Sequence, residues 1–526
     1  MFQSTRRSSR RCSTACNNPA QMQLFPSPED FAKAYDSGQN QVVWTRLVAD
    51  LDTPVSLMLK LAQARKDSFM LESVTGGEVR GRYSVIGMRP DLIWQCRGES
   101  VRLNRQARFD ADAFVAVQQD PLTSLRAIIA ESRIKLPEGL PAICAGLFGY
   151  LGYDMIRLVE HLPDINPDPL NLPDAIMMRP TIVVVVDGVK GEVIVVSPVW
   201  TGSGQSARAA FAQAAERVMD AVRDLDRQPP EETRDMGEAP ILAEATSNTS
   251  KAEYLAIVEK AKDYIRAGDI FQVVPSQRWS QKFDLPPFAL YRALRRTNPS
   301  PYMFYFNFGG FQVIGASPEI LVRVIDRKVT IRPIAGTRPR GATTMEDLAF
   351  ENDLLADPKE RAEHLMLLDL GRNDVGRVAE IGSVDPNEQF IIERYSHVMH
   401  IVSNVDGILR QDTDALAALL AGLPAGTVSG APKVRAMQII DELEHEKRGV
   451  YGGGVGYFSA NGDMDICIAL RTGVVKDQVL YTQAGGGVVY DSDPEAEFQE
   501  TVNKARALKQ AAKDAGLFVG GKLPGN

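Results

Sequence analysis

Two short stretches carry the same spacing of acids. Asp357-Pro358 is followed by Glu360 and Glu363, and Asp493-Pro494 by Glu497 and Glu500. On an α-helix, residues three apart share a face, so each pair points two carboxylates the same way. Like charges that close repel. If the two helices face each other, a hard divalent cation with oxygen ligands relieves the repulsion, and magnesium, which keeps several waters and takes one or two direct carboxylates, suits such a site. The spacing has a second reading, in which Glu360 backs the Asp357 cap and the acids simply favour the positive end of a helix dipole. Lys504, four residues past Glu500, by itself describes an intrahelical ion pair.

Two loops could hold an anion. Pro424 to Lys433 sets small residues and the hydroxyls of Thr427 and Ser429 before a helical run through Val434, Met437 and Ile440. Gly485, Gly486 and Gly487 lie between two β-like runs, where backbone can approach a ligand with no Cβ in the way. Neither matches a P-loop or a dinucleotide fingerprint, which argues against nucleotide chemistry.

The elements that must position these residues are partly legible. Ser250 and Glu253 form a capping-box pattern before the apolar series Tyr254, Ile257, Val258, Ala261 and Ile265, predicting an amphipathic helix that stops at Gly268. Helices are predicted from Pro358 and Pro494, each with an aspartate N-cap and proline in the first turn. Strands are predicted over Phe271–Val274, Phe311–Ala316, Leu321–Ile325 and Lys328–Arg332, the last two around an Asp326-Arg327 turn. In the N-terminal region, Thr181–Val186 and Glu192–Val196 read as a hairpin joined by residues 187–191. This order predicts an α+β fold of layers rather than a regular βαβ succession.

With 526 residues, 44% of them hydrophobic, the chain should exceed one ordinary core. The Pro- and acid-rich stretch around Pro229-Pro230 predicts a linker at 224–249, between an N-terminal region 22–223 and a second region 250–516, with a tail at 517–526. Residues 1–21, arginine- and serine-rich with no acid before Glu29, read as a disordered extension, a transit peptide or a misplaced start. A net charge of -8 gives no general attraction to nucleic acid or anionic lipid. The five cysteines lack paired spacing, and no apolar run approaches the roughly 20 residues of a membrane span. A cytoplasmic protein with neither nucleic-acid nor membrane partners is expected.

Several blocks together resemble the chorismate-binding enzymes. They are Pro333 to Gly341, Glu360 to Leu367, Asp369 to Asp374, Ser396 to His400, Pro424 to Lys433 and Asp493 to Ala505. The resemblance is dense from about Ser250 to Gly516 and implies that family's layered α/β/β/α fold with large antiparallel or mixed sheets. It implies one Mg²⁺ held by Glu363 and Glu500, with Glu360 and Glu497 behind them through waters. It implies binding of chorismate by Thr427, Tyr451, Arg471, Gly485, Gly486, Gly487 and Lys504, with Gly336 and Thr337 nearby. Glu319 matches the general acid that protonates the departing C4 hydroxyl, and burial and acidic neighbours are expected to raise its pKa. His400 matches the residue associated with loss of pyruvate.

Within the family, members that add water at C2 carry a lysine base where this chain has Gln272, and folate-branch members commonly carry a nucleophilic lysine where it has Ala335. The resemblance therefore implies ammonia addition at C2 and formation of anthranilate. Leu71, Glu72 and Ser73, with Asn298, Pro301, Tyr302, Met303 and Phe304, resemble the tryptophan feedback site of anthranilate-forming members, and Val455, Tyr457 and Cys467 should lie close to it. The family usually draws ammonia from a separate glutamine amidotransferase subunit, so such a partner is expected. The alternatives are aminodeoxychorismate formation in the folate branch and a non-catalytic sensor of chorismate or tryptophan.

Overall fold

The valine-rich run at Thr181–Val186 lies inside a longer strand, Ala175–Asp187, buried at every position. Unbroken burial requires cover on both faces. The strand forms the predicted hairpin with Glu192–Val199, in register from Val183↔Val196 to Asp187↔Glu192. Its other edge pairs with Tyr83–Arg97, and the register slips where Pro90 and Leu92 face Pro180 and Arg179. Two prolines, each lacking an N–H, mark a corner where both strands pass from one sheet into another.

The computed structural model describes residues 22–62, 65–74, 81–202, 204–228, 243–395 and 398–519. The expectations for residues 1–21, the middle of the 224–249 linker, Ser396 with His397, and residues 520–526 of the tail lie outside them.

From the corner, one sheet runs through the second half of Ala175–Asp187 to Glu192–Val199 and Gln41–Val48. On its other side it continues through the first half of Tyr83–Arg97 to Ser68–Glu72, Tyr302–Asn307, Phe311–Ser317, Thr472–Lys476, Val479–Gly485 and Ser276–Lys282. The second sheet starts from the first half of Ala175–Asp187 and runs through Gly146–Leu151, Gly454–Ser459, Met464–Ile468, Ile320–Ile325 and Lys328–Ile331 to Val398–Ile408. Ile334–Pro339 and Asp385–Arg394 both pair with that last strand. All these pairings are antiparallel.

Three apolar clusters define the layers. Phe148, Tyr150 and Cys467 of the second sheet meet Phe304, Phe306 and Val474 of the first between the sheets. The outer face of the first sheet is covered by helices Pro54–Leu61, Ala207–Leu225, Pro287–Thr297 and Pro494–Asp514, through residues such as Leu57, Val218, Leu290 and Leu508. The outer face of the second is covered by Pro121–Glu131, Pro358–Gly376 and Ala415–Gly422, through Leu125, Leu368 and Leu419. Each fully buried side chain of this size contributes about 1.5–3 kcal/mol of transfer free energy. The arrangement is the expected α/β/β/α stack. Strands from either side of the linker hydrogen-bond directly, Glu72 opposite Met303 and Gly149 opposite Gly456.

The helix starts form as their sequences dictate. Ser250 Oγ accepts from Glu253 N at 3.3 Å while Glu253 Oε2 accepts from Ser250 N at 2.7 Å. Asp357 Oδ1 accepts from the N–H groups of Lys359 and Glu360, and Asp493 Oδ1 from that of Ala496. One strand differs from expectation. Phe271–Val274 contracts to Gln272–Val273, paired with Gly430–Ala431, because Pro275 cannot donate and the chain re-enters the large sheet only at Ser276. That short pairing sets Gln272 beside the loop carrying Thr427.

Candidate active site

The two acidic helices bring their carboxylates near enough to interact, with distinct engagements. Glu360 Oε1 accepts from Arg338 Nη1 at 3.3 Å. Glu497 Oε1 accepts from Ser492 Oγ at 2.7 Å, and its Oε2 is buried without a hydrogen-bond partner. Glu363 Oε1 accepts from Gln272 Nε2 at 3.3 Å, and burial, reinforced by Glu360 and Glu500, raises its carboxyl above the usual range. Glu500 pairs with Lys504 at 2.7 Å, and Lys504 Nζ also donates to Gly485 O at 3.0 Å. All four carboxylates thus have a protein partner, and Glu363 and Glu500 lie close enough to interact. Among the described residues no three acidic, histidine or cysteine side chains gather into a metal-holding group. Two direct carboxylates are nonetheless the number a hydrated magnesium ion takes, and their repulsion is what a dication would relieve.

Near these carboxylates stand two buried titratable groups, Glu319 and His400. Glu319, only 6% exposed, follows the strand Phe311–Ser317, and Thr427 Oγ1 donates to its carboxylate at 3.3 Å. Burial pushes the Glu319 carboxyl up to about 8. The expected acidic neighbours are not the cause: the charges around it are Lys504 and Arg471, which pull the pKa down, and desolvation outweighs them. His400 stands in Val398–Ile408, its Nδ1 3.0 Å from Gly336 O and 3.1 Å from Thr337 Oγ1. A carbonyl oxygen only accepts, so Nδ1 carries the proton and Nε2 keeps a lone pair. Burial lowers His400 to about 4, leaving it neutral near pH 7.

The remaining predicted residues surround these two. Arg471 has a positive φ of 48°, a strained setting for a side chain, and interacts with Glu319. A Cβ at Gly485 would lie 3.0 Å from Tyr451 Oη, one at Gly486 3.0 Å from Glu497 Oε2, and one at Gly487 2.8 Å from Gln272 Nε2. The glycines therefore admit the Tyr451, Glu497 and Gln272 side chains at close range. Gly336, at φ +68°, brings its backbone against Glu360 Oε2 in the same way.

A sequence profile of the chorismate binding enzymes matches residues 84–510. The anthranilate synthase component 1 of Cereibacter sphaeroides is 75% identical over 490 residues, covering 93% of this chain and 98% of that protein. The chain belongs to the anthranilate synthase component 1 branch of the chorismate-binding enzymes. The Pseudomonas aeruginosa anthranilate synthase component 1 is 48% identical over 496 residues, 92% of this chain and 98% of its own length. The crystal structure of anthranilate synthase component I from Streptococcus pneumoniae TIGR4 matches with a TM-score of 0.73 at 40% identity, over 83% of this chain and 94% of that one.

Sequence reasoning left out residues that hold this family's site together. Arg448 is fully buried: Nη1 donates to Val428 O at 2.6 Å, Nη2 to Val274 O at 2.7 Å, and Nε to Glu444 at 2.9 Å. Glu444 in turn accepts from Ser276 N at 2.7 Å. The pair clamps the Thr427 loop to the Gln272 strand, and its signal was a Glu-to-Arg spacing of four, which elsewhere is a surface feature. Lys433 ends the Pro424 to Lys433 block and donates to Asp374 Oδ2 at 2.8 Å, joining that loop to the Glu363 helix.

The residues expected around a feedback site come together, with one exception. All but Asn298 line a cavity of about 750 Å³ between the two sheets. Asn298 instead ends helix Pro287–Thr297, where its N–H donates to Leu294 O. The Glu72 carboxylate is already engaged, receiving Arg295 through two bonds at 2.7 Å and Tyr291 Oη at 2.8 Å.

Proposed function

We propose that the chain converts chorismate and ammonia into anthranilate and pyruvate, the committed step toward tryptophan, with tryptophan as feedback inhibitor and ammonia supplied by a glutamine amidotransferase subunit. One observation carries the reading: a buried, proton-holding Glu319 and a neutral His400 both lie near enough to Arg471 to feel its charge, and Glu319 feels that of Lys504 as well.

Chorismate brings two carboxylates, and the pocket offers Arg471, Lys504, Thr427, Tyr451 and the Gly485–Gly487 backbone to meet them. Arg471 can grip one carboxylate through two parallel hydrogen bonds. With the ring held, ammonia forms a bond to C2, the ring double bonds shift, and the C4–O bond breaks. The departing hydroxyl takes the Glu319 proton and leaves as water, while the new ammonium group loses a proton to solvent. In the second step the C2 proton passes to His400 Nε2 and the C3–O bond breaks. The ring becomes aromatic, and the released enol is reprotonated to pyruvate. A magnesium ion held by Glu363 and Glu500, with Glu360 and Glu497 behind them through waters, would supply Lewis-acid charge against the ring carboxylate.

The exposed Phe271 and Tyr490 support a partner subunit. Phe271 N–H donates to Ala431 O, beside the N-terminus of the helix that presents the exposed Val434, and Tyr490 follows the bridge between Val488 and Val273. These apolar side chains border the strand bearing Gln272. The cavity around Leu71, Tyr302 and Tyr457 supports the feedback assignment, since it joins apolar walls to a few polar groups.

The reading is tested with purified chain, chorismate, Mg²⁺ and ammonium salt. Anthranilate fluorescence must rise in step with pyruvate. Accumulating aminodeoxychorismate assigns the chain to the folate branch, and tight chorismate binding without product makes it a sensor.

A further inference from the structure

The 750 Å³ cavity and the reaction pocket share a wall. Pro318 and Ile320 line the cavity and flank Glu319 in the chain, while the Glu319 carboxylate turns to Thr427 in the pocket. Ile334 also lines the cavity, and its backbone N–H lies near enough to that same carboxylate to favour its charged form. Tyr395 closes the end of the wall. It lines the cavity on one side, and on the other its ring meets the His400 imidazole edge-on with centroids 5.5 Å apart. It also lies close enough to Arg471 to bear on the guanidinium.

The anchoring of Tyr395 is uneven. Its backbone is fixed by Val398 O, which accepts its N–H at 2.8 Å, and by Arg340 Nη1, which donates to its carbonyl at 2.7 Å. Its hydroxyl is tethered to Glu393 Oε2 at 2.9 Å, and Glu393 is itself a cavity-lining residue paired with Arg332 at 2.8 Å. A ligand that enters the cavity and draws on Glu393 or Arg332 competes for the tether. The ring can then leave His400 while the backbone stays in place.

We propose that Tyr395 is the residue that couples the two sites: filling the cavity displaces its ring from His400 and Arg471, so that cavity ligand and chorismate oppose each other's binding. This rests on the cavity being the tryptophan site. Coupling of this kind is reciprocal, so whatever factor tryptophan imposes on chorismate, chorismate imposes on tryptophan. A purely structural role for Tyr395 would weaken both ligands without changing that factor.

The test measures tryptophan dissociation by calorimetry, with and without saturating chorismate and in the absence of ammonium, for the wild type, Y395F and Y395L. The wild type is expected to show a ratio of about tenfold or more, within the usual range of coupling between sites. In Y395L the ratio falls to within about twofold of unity while tryptophan alone still binds, and Y395F, which retains the ring but not the tether, lies between. A wild-type ratio in Y395L overturns the proposal. Loss of tryptophan binding by Y395L in the absence of chorismate also overturns it, since Tyr395 would then hold tryptophan rather than couple the two sites. If Y395L does not fold, the wild-type ratio in both Y395F and E393Q has the same force. Failure of the wild type itself to bind tryptophan removes the feedback reading and this proposal with it, a result distinct from bound tryptophan with unaltered coupling.

Discussion

In the proposed reaction, Glu319 and His400 are set for opposite proton transfers by the same physical cause. Burial raises the carboxyl to about 8 and lowers the imidazole to about 4, so near pH 7 one is a loaded acid and the other an unloaded base. The acid form of Glu319 is complete below its pKa and is lost as pH rises through about 8. With saturating glutamine and partner subunit, kcat should therefore decline with its midpoint near that value, and Glu319→Gln should cost roughly 10²–10⁴-fold in kcat and abolish the decline. His400→Ala should separate the two half-reactions, with chorismate consumed and aminated product released without matching pyruvate. Gly487→Ala drives a methyl toward Gln272 Nε2 and should weaken the Gln272 to Glu363 contact, visible as a higher KM for ammonium with little loss of Tm. At this scale the proximity of Glu319, Thr427, Arg471 and Lys504 was legible because several family blocks preserve residue and spacing together. Burial was rightly expected to raise Glu319, but the acidic neighbours expected beside it are not among the causes; the charges that bear on it are Arg471 and Lys504, more than 150 residues away in the chain, and burial overrules them.

Among the elements, helix starts were the most readable, since a cap and the N–H group that donates to it lie within three residues of each other. Asp493→Ala removes the acceptor for Ala496 N–H and should lower stability by about 1 kcal/mol. Because Glu497 and Glu500 follow on the same helix, the affinity for Mg²⁺, followed calorimetrically, should fall with it. Arg448→Met has a larger expected effect: Glu444 would remain buried without its partner, costing about 3–5 kcal/mol in a denaturant titration. Short β-branched runs also read correctly, within a residue or two at their ends. Tyr83–Arg97 did not, because Pro90 in its middle looks like a strand breaker and becomes a corner only once a second sheet exists to turn into. Ala207–Leu225 was missed for a related reason: its buried face is made mostly of alanine, which carries little apolar contrast.

On the scale of the whole molecule, composition separated two regions but could not tell that their strands interleave. If the chain is cut at a protease site engineered between residues 229 and 242, the two pieces should stay together through size-exclusion chromatography and melt in one transition, because Glu72 and Gly149 pair with Met303 and Gly456 across the cut. Separation of the pieces would show that the interleaved strands contribute little. The same interleaving bears on how the protein is made. As the chain leaves the ribosome, the strands Ser68–Glu72 and Gly146–Leu151 emerge long before their partners at Tyr302–Asn307 and Gly454–Ser459 exist. Through that interval the nascent chain carries open, apolar strand edges able to join a neighbour's, so yield in a recombinant host should depend on growth temperature and on holdase chaperones far more than the stability of the finished enzyme would suggest.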